Sequence, residues 1–503
     1  MSEETRVPDL AGGIPSTDLP EGAMIAGTVG DEEVLIARVD GRLFAVAALC
    51  THYHGPLVDG LLVGETVRCP WHHAHFCLRT GEALAAPAID PLKRWAISEA
   101  GGVIRVGEAL DETPTPPRRA SAGEPRRVVV IGGGAAGFAA VEMLRRKGFD
   151  GSVTMLSADA DAPYDRPNCS KDYLAGDAQP EWMPMRDASW YADHNIDLRL
   201  GTDAAALDPV AKSVTLGNGE SLDYDALLIA TGAEPIRPPI AGFDRPDAYV
   251  LRSLRDADAI IAAAGQAKCV AVVGASFIAL ETAAALRARG LEVHVAAPEA
   301  IPLARVMGDD IGRWVRGLHE QAGVVFHLGH GVTGWSDGRL ALDDGTAIDA
   351  DFLVLGMGVR PRVALAEAAG LAVDRGIMVD AQLRASAPGI YAAGDVARFP
   401  DPHNGQPIRI EHWVHAERQG QHVARAILGD AAPFTDPPYF WSVHPGAEIR
   451  YIGHAEAFDP PHVGGSLAHH DAEVAFASGG RLLALATVGR DRRSLKIGVE
   501  LTV

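Results

Sequence analysis

The stretch RVVVIGGGAAGFAAVEML, Arg127 to Leu144, constrains the fold more than any other part of the chain. Its β-branched run, Val128 to Ile131, reads as a strand buried on both faces. Gly132, Gly134 and Gly137 follow with the spacing Gly-x-Gly-x-x-Gly, and Phe138 to Leu144 continue as a helix. Each glycine answers a different steric need: Gly132 a tight turn, Gly134 close approach of backbone to a pyrophosphate, Gly137 close packing of helix on strand. The free N–H groups and positive dipole end of the helix then face the phosphates. A glycine turn of this kind can be purely structural, but the arrangement recurs. Val270 to Val273 reads as a second strand, Gly274-Ala-Ser-Phe-Ile-Ala279 as its turn, and Glu281 lies on the helix that follows. Ser276 and Ala279 stand where glycine is usual; both are small enough for the helix to stay close.

The next strand in each copy should end near an acid that accepts ribose hydroxyls. After Val153 to Leu156 the candidate is Asp159. After Glu292 to Ala296 it is Glu299, about two residues beyond the usual place. An acid there repels the 2′-phosphate of NADPH, and no arginine follows at once, so NADH is the expected nicotinamide. A solvated surface glutamate is the alternative.

The N-terminal hundred residues read differently. Val34 to Val39 and Leu43 to Val46 are strands, and Asp40-Gly41 between them is a hairpin signal. Cys50-Thr-His52 and Cys69-Pro-Trp-His72 then offer two cysteines and two histidines. Tetrahedral zinc accepts that set, and so does a Rieske [2Fe–2S] cluster. The surrounding residues, CTHYHGPL and CPWHHAHF, resemble the two cluster-binding loops of the Rieske family, in which Gly55-Pro56-Leu57 and Pro70-Trp71 are typical neighbours. The resemblance implies that Cys50 and Cys69 bind one iron and His52 and His72 the other. It leaves His54, His73 and His75 as loop residues and Cys77 as a packed thiol. High-potential members carry a second cysteine in each loop, where this chain has His54 and Trp71, and a serine and a tyrosine near the sulfurs, where it has Ala74 and Phe76. Without those hydroxyls the cluster is expected at the low end of the Rieske range, as in the ferredoxins of bacterial oxygenase systems.

Pro163-Tyr-Asp-Arg-Pro-Asn-Cys-Ser-Lys-Asp-Tyr-Leu174 resembles a stretch of flavin-dependent ferredoxin reductases, closest to the apoptosis-inducing-factor-like branch with an N-terminal Rieske domain. That resemblance implies Arg166 and Lys171 along FAD, with Lys171 near the isoalloxazine and paired with Glu281. DALLIATG, with Thr231 and Gly232, carries the turn typical of two-dinucleotide flavoproteins, and GASFIALE resembles the NADH motif of the same branch. LVLGMGVRP closes the nucleotide insertion, and GIYAAGD delivers Gly394 and Asp395, the latter implied to bond the FAD ribityl chain. Glu411-His412-Trp413 matches the segment beside the flavin pyrimidine edge, and Trp441 an aromatic residue approaching the flavin, with a plain core role as its alternative. Cys169 stands where leucine is usual. Disulfide reductases of this fold need a Cys-x4-Cys pair there, and no second cysteine is present, which favours inert packing.

The resulting expectation is a multidomain chain: an N-terminal all-β Rieske domain (1–110), a Pro-rich linker (111–126), an FAD-binding domain in two parts (127–244 and 365–430) around an NAD-binding domain (245–364), and a C-terminal α+β domain (431–503). Both dinucleotide domains should be Rossmann-like α/β. The function implied is electron transfer from NADH through FAD to the chain's own [2Fe–2S] cluster and on to a ferredoxin, an oxygenase or a small molecule. A peroxide-forming NADH oxidase, a non-enzymatic redox sensor and a thiol peroxidase using Cys169 are the rival readings. The net charge of −21 argues against nucleic acid or an anionic membrane as partner. Five cysteines in 503 residues make no disulfide framework, and the acidic, polar start is no signal peptide. A cytoplasmic setting is expected, with a homodimer as a candidate assembly.

Overall fold

The computed structural model describes residues 7–111 and 125–502; the expected linker falls almost wholly outside the described residues. The chain forms two compact units. One holds the described residues up to Asp111 together with Arg490–Thr502, and the other holds the residues from 125 to Gly489.

The first unit is built from two antiparallel sheets. Six strands run in the order Ile14–Pro15, Val103–Leu110, Arg94–Ala100, Arg42–Ala47, Glu32–Val39 and Met24–Val29. The turn between Glu32–Val39 and Arg42–Ala47 has both central residues at positive φ, Asp40 at 49° and Gly41 at 71°. This geometry matches the right-handed twist of a two-residue hairpin. A second sheet, Leu61–Val63, Thr66–Arg68, His75–Cys77 and Ala83–Ala85, is a simple meander. The core between them includes Leu35, Val46, Leu57, Val67 and Phe76, and both Cys50 and Cys69. The helix Asp491–Glu500 also belongs to this unit, where it meets Leu61–Val63 and buries Leu495 and Ile497. The region 431–503, expected as one reductase domain, is thus divided: its sheet ends at Val488 and its helix packs with the N-terminal residues.

The second unit contains two parallel sheets of five strands. The first runs Ile196–Arg199, Ser152–Leu156, Arg127–Ile131, Ala226–Ile229, Ile390–Ala392. Its last strand comes from far downstream, with Leu227 paired to Ile390, so this domain is discontinuous in sequence. The second sheet, formed by the intervening chain, runs Ala248–Val250, Phe352–Leu355, Cys269–Val273, Glu292–Ala297, Val324–Leu328. Ala233–Pro235 and Val359–Pro361 pair antiparallel where the chain leaves and re-enters. A five-stranded antiparallel sheet, from Tyr439–His444 to Arg481–Val488, completes the unit. Helix Trp413–Ile427 is buried along nearly its whole length. It lies against helix Ala135–Arg146 because position 420 is glycine: a Cβ there would sit 2.1 Å from the Ala136 carbonyl oxygen. No helix among the described residues is long and apolar enough to cross a membrane.

Candidate functional site

The two Cys/His loops are closed by the same device. The Cys50 N–H donates to the Gly55 carbonyl at 2.9 Å, and the Cys69 N–H to the Ala74 carbonyl at 2.8 Å. Each loop reverses through a left-handed histidine four residues after its cysteine, His54 at φ 57° and His73 at φ 60°. The Cys50 and Cys69 side chains hydrogen-bond each other, so the two sulfurs share one locus. Gly55 is glycine for want of space, since a Cβ there would lie 2.9 Å from Cys69 Sγ and 3.1 Å from the Trp71 ring. The His52 and His72 rings meet edge to face with centroids 5.1 Å apart, and Tyr53 stacks on His52 at 4.0 Å. Burial holds His52 neutral, its pKa down to about 4, and its Nδ1 is buried with no hydrogen-bond partner. A neutral imidazole with an unsatisfied buried nitrogen, beside two thiols, is the donor set a [2Fe–2S] cluster needs. Ala74 and Phe76 pack against these cysteines, fully buried and without a hydroxyl.

The first glycine turn divides its tasks as its spacing predicts. A Cβ at Gly132 would lie 2.1 Å from the Ala230 carbonyl oxygen, and one at Gly137 1.9 Å from that of Gly132. Position 134, the N-cap of the helix, is open, with only the Arg166 guanidinium within 4 Å of a built Cβ. Arg166 lies over the Tyr164 ring at 5.5 Å. Asp395 acts electrostatically on Arg166 and on His412, and its carboxylate accepts from Arg252 Nη2 at 2.6 Å. Arg409 donates to the Asp395 carbonyl at 3.0 Å and pairs with Glu411 at 2.6 Å. The Gly394 N–H donates to Gln419 Oε1 at 2.8 Å, which fixes the Gly-Asp turn to the buried helix Trp413–Ile427. The Trp413 side chain bonds Glu417 one turn on. His412 caps this helix against Phe440, and burial takes its pKa down to about 3.

Arg166 Nε, Arg252 Nε and His412 Nδ1 are all buried without hydrogen-bond partners. Unpaired buried donors are costly, and a diphosphate with a carbonyl-bearing ring system would satisfy donors of this kind. Two expected contacts are otherwise engaged. The Asp159 carboxylate accepts from the Tyr164 hydroxyl at 2.9 Å, which itself accepts from the Leu254 N–H at 3.0 Å. The Thr231 hydroxyl donates to the Arg362 carbonyl at 2.9 Å, while the Arg362 N–H returns to Gly232. Thr231 and Gly232 therefore tie the two crossings between the parallel-sheet domains, and Gly232 also lies beside Arg252.

Three distant segments meet at Glu281. Its Oε2 accepts from Lys171 Nζ at 2.7 Å and Ser170 Oγ at 2.6 Å; its Oε1 accepts from Ser442 Oγ at 2.7 Å and the Val443 N–H at 3.4 Å. Four donors thus converge on a carboxylate only 3% exposed. Lys171 also donates to the Pro167 carbonyl at 3.4 Å and lies over the Trp441 ring at 5.6 Å. The structure thus brings Lys171, Glu281 and Trp441 together. Ser170, Ser442, Arg252, Arg409 and Gln419 belong to the same network. Cys169, by contrast, is buried among Tyr164, Tyr173 and Met183, with its thiol pushed up to about 12 by burial. That is a packing position rather than a reactive one.

In the second turn Gly274 has φ 110°, and a Cβ there would lie 2.4 Å from the Gly356 carbonyl oxygen. Ala279 is tolerated because the residue facing it is glycine: a Cβ on Gly356 would come within 2.6 Å of the Ala279 methyl. Ser276 caps the helix Phe277–Ala288 and donates to the Gly356 carbonyl at 3.2 Å. Glu299 is exposed, just past the end of the strand Glu292–Ala297.

Two nucleotide-type turns on adjoining parallel sheets, a buried lysine–carboxylate pair between them and a separate Cys2His2 locus define a two-dinucleotide flavoprotein fused to an iron–sulfur module. The comparisons agree. Residues 126–420 match the family described as Pyridine nucleotide-disulphide oxidoreductase, and residues 13–96 the Rieske [2Fe-2S] domain. The chain is 30% identical over 494 residues to human apoptosis-inducing factor 3, covering 94% of this chain and 81% of that one. It is 36% identical over 376 residues to the ferredoxin–NAD(+) reductase component of the anthranilate 1,2-dioxygenase system of Burkholderia cepacia, covering 72% and 91%. The solved ferredoxin reductase for the CYP199A2 system of Rhodopseudomonas palustris superposes with a TM-score of 0.72 at 31% identity, covering 75% of this chain and 96% of that one. The chain belongs to the pyridine nucleotide-disulphide oxidoreductase family, in a form that carries a Rieske domain. It is an FAD- and NAD(H)-dependent oxidoreductase whose N-terminal domain holds a [2Fe–2S] cluster.

Proposed function

We infer that this protein takes electrons from NADH and delivers them through its own Rieske domain to an acceptor of the ferredoxin or oxygenase-component class. The observation that carries this reading is the Cys50, His52, Cys69, His72 set in one chain with two dinucleotide turns. Bound FAD accepts two electrons as a hydride, and a [2Fe–2S] cluster carries one at a time. The residues supply position and charge. Arg166, Arg252 and the helix behind Gly134 answer the cofactor's phosphates, and Asp395, fixed by Arg252 and Arg409, answers its sugar chain. Both Glu281 oxygens are occupied, which holds Lys171 in place. Trp441 sets its ring face beside the same ammonium at 5.6 Å. Glu299 favours NADH over NADPH. Relatives named as ferredoxin–NAD(+) reductases support an acceptor of that class.

The test separates entry from exit. In stopped-flow experiments His52→Ala should leave bleaching of flavin absorbance by NADH nearly intact and abolish reduction of any acceptor served by the cluster. Lys171→Ala should slow the bleaching at least tenfold, about 1.4 kcal/mol of transition-state stabilisation. Acceptor turnover that survives in the His52 variant would refute exit through the Rieske domain.

A further inference from the structure

A second cluster of metal-ligating side chains stands away from these sites, at the opening edge of the second parallel sheet. Cys269 begins the strand Cys269–Val273 and pairs in register with Glu292, the first residue of Glu292–Ala297. In-register neighbours, and residues two apart on a strand, share a face. Cys269, Glu292 and His294 therefore project to one side. His327, paired with Ala296, lies on the same face of the next strand. The thiol, carboxylate and imidazole ligand atoms of Cys269, Glu292 and His294 all lie within 4.8 Å of one another.

The imidazole is oriented from behind. His294 Nδ1 is 3.0 Å from His327 Nε2, and its Nε2 is 3.2 Å from Glu292 Oε1. With Nδ1–H donated to His327, His294 turns the lone pair of Nε2 toward the Glu292 side, the second-partner arrangement seen behind metal-bound histidines. The local field has the sign a cation requires. Glu292, Asp349 and Asp351 surround the Cys269 thiol with negative charge, and these carboxylates attract a divalent ion that would displace its proton. The cysteine is fixed in place: the Asp351 carboxylate accepts from the Lys268 and Cys269 N–H groups at 2.7 and 2.9 Å.

We propose that Cys269, Glu292 and His294 bind one divalent ion of the zinc class, with water in the fourth position and His327 orienting His294. One thiolate, one imidazole and one carboxylate make a borderline-soft set that suits zinc and disfavours magnesium or calcium. The ion would pin the start of Cys269–Val273 to its neighbour. The dinucleotide turn at Gly274 lies at the opposite end of that strand, roughly 15 Å away at about 3.3 Å per residue. The site therefore stands apart from the dinucleotide turn and from the groups assigned to electron transfer.

The experiment uses full-length holoprotein with its flavin and two irons per chain verified, equilibrated with micromolar free Zn2+. Wild type should retain one zinc per chain with iron unchanged, and its zinc-edge X-ray absorption should show one sulfur at about 2.3 Å. Cys269→Ser and the milder Glu292→Gln should each weaken zinc affinity at least tenfold while flavin and iron contents hold. Those contents report that the variants are folded. Equal zinc retention by wild type and both folded variants would overturn the proposal. So would zinc with no sulfur neighbour, zinc taken up only as iron is lost, or binding only at millimolar zinc.

Discussion

At positions 74 and 76 a methyl group and a phenyl ring face the cysteine pair, and both are fully buried. A hydroxyl at either place would donate to cluster sulfur and stabilise the more negative, reduced state. Ala74→Ser with Phe76→Tyr should raise the midpoint potential by on the order of 60 mV per hydroxyl, equivalent to about 1.4 kcal/mol for a one-electron couple. Protein-film voltammetry would measure it, and an unchanged potential would show that another feature sets the value. Glu299 is the residue proposed to select the nicotinamide at the other end of the electron path. Glu299→Ala should narrow the NADH-over-NADPH ratio of kcat/KM by about tenfold, and a ratio that stays put would mean the exposed acid is only solvated surface. Sequence alone nominates these residues because each lies in or beside a local motif. The Arg252–Asp395 and Ser442–Glu281 contacts were not, because they join residues 143 and 161 positions apart. No local spacing marks such partners. Thr231 shows the converse: its motif is intact, yet its hydroxyl serves the crossing chain at Arg362.

Among elements, the strand–turn–helix units were readable because their glycines answer backbone clashes within a few residues of sequence. The exchange of Ala279 against Gly356 was not, since the compensating glycine sits on another strand. Packing between the kinked helix Ala304–Gln321 and the strand Tyr439–His444 was equally invisible. It brings His319 Nε2 within 3.1 Å of His444 Nδ1. Burial takes both pKa values down to about 3, with His444 adding to the effect on His319 and Lys171 to that on His444. The folded protein then holds both rings neutral where the unfolded chain, with an ordinary histidine pKa near 6.5, binds protons. Stability is accordingly full above about pH 6.5 and falls as pH drops toward 3. At pH 5 each ring costs about 2 kcal/mol. Urea unfolding of the flavin-containing unit from pH 8 to 5 should show this loss. His319→Leu should make the slope shallower by about one proton, and an unchanged slope would place the acid sensitivity elsewhere.

For the whole molecule, the decisive feature is that the chain passes from the first compact unit to the second and returns. The antiparallel sheet of the second unit ends at Val488, Gly489 follows at φ 67°, and the helix Asp491–Glu500 joins the Rieske residues. The cluster-bearing unit is therefore completed by residues 490–502, and the flavin-bearing unit is inserted within it. Nothing local marks this, because a ten-residue helix after a strand reads as part of the preceding domain whichever unit it packs on. Leu495 and Ile497 are each 1% exposed. Withdrawing two such side chains forfeits about 3–6 kcal/mol of apolar burial, a large share of the roughly 5–15 kcal/mol that holds a domain together. Truncation after Gly489 should then lower the temperature at which the cluster's visible absorbance is lost by 10 °C or more, at about 4–8 °C per kcal/mol for a domain of this size. Flavin content and NADH-driven bleaching should be unaffected, because every residue assigned to those steps lies before Gly489. The double substitution Leu495→Ala with Ile497→Ala should reproduce the loss in the full-length chain, separating packing from chain length. If the truncated protein kept its cluster to the wild-type temperature, the C-terminal helix would be an accessory of the Rieske unit and not part of its core.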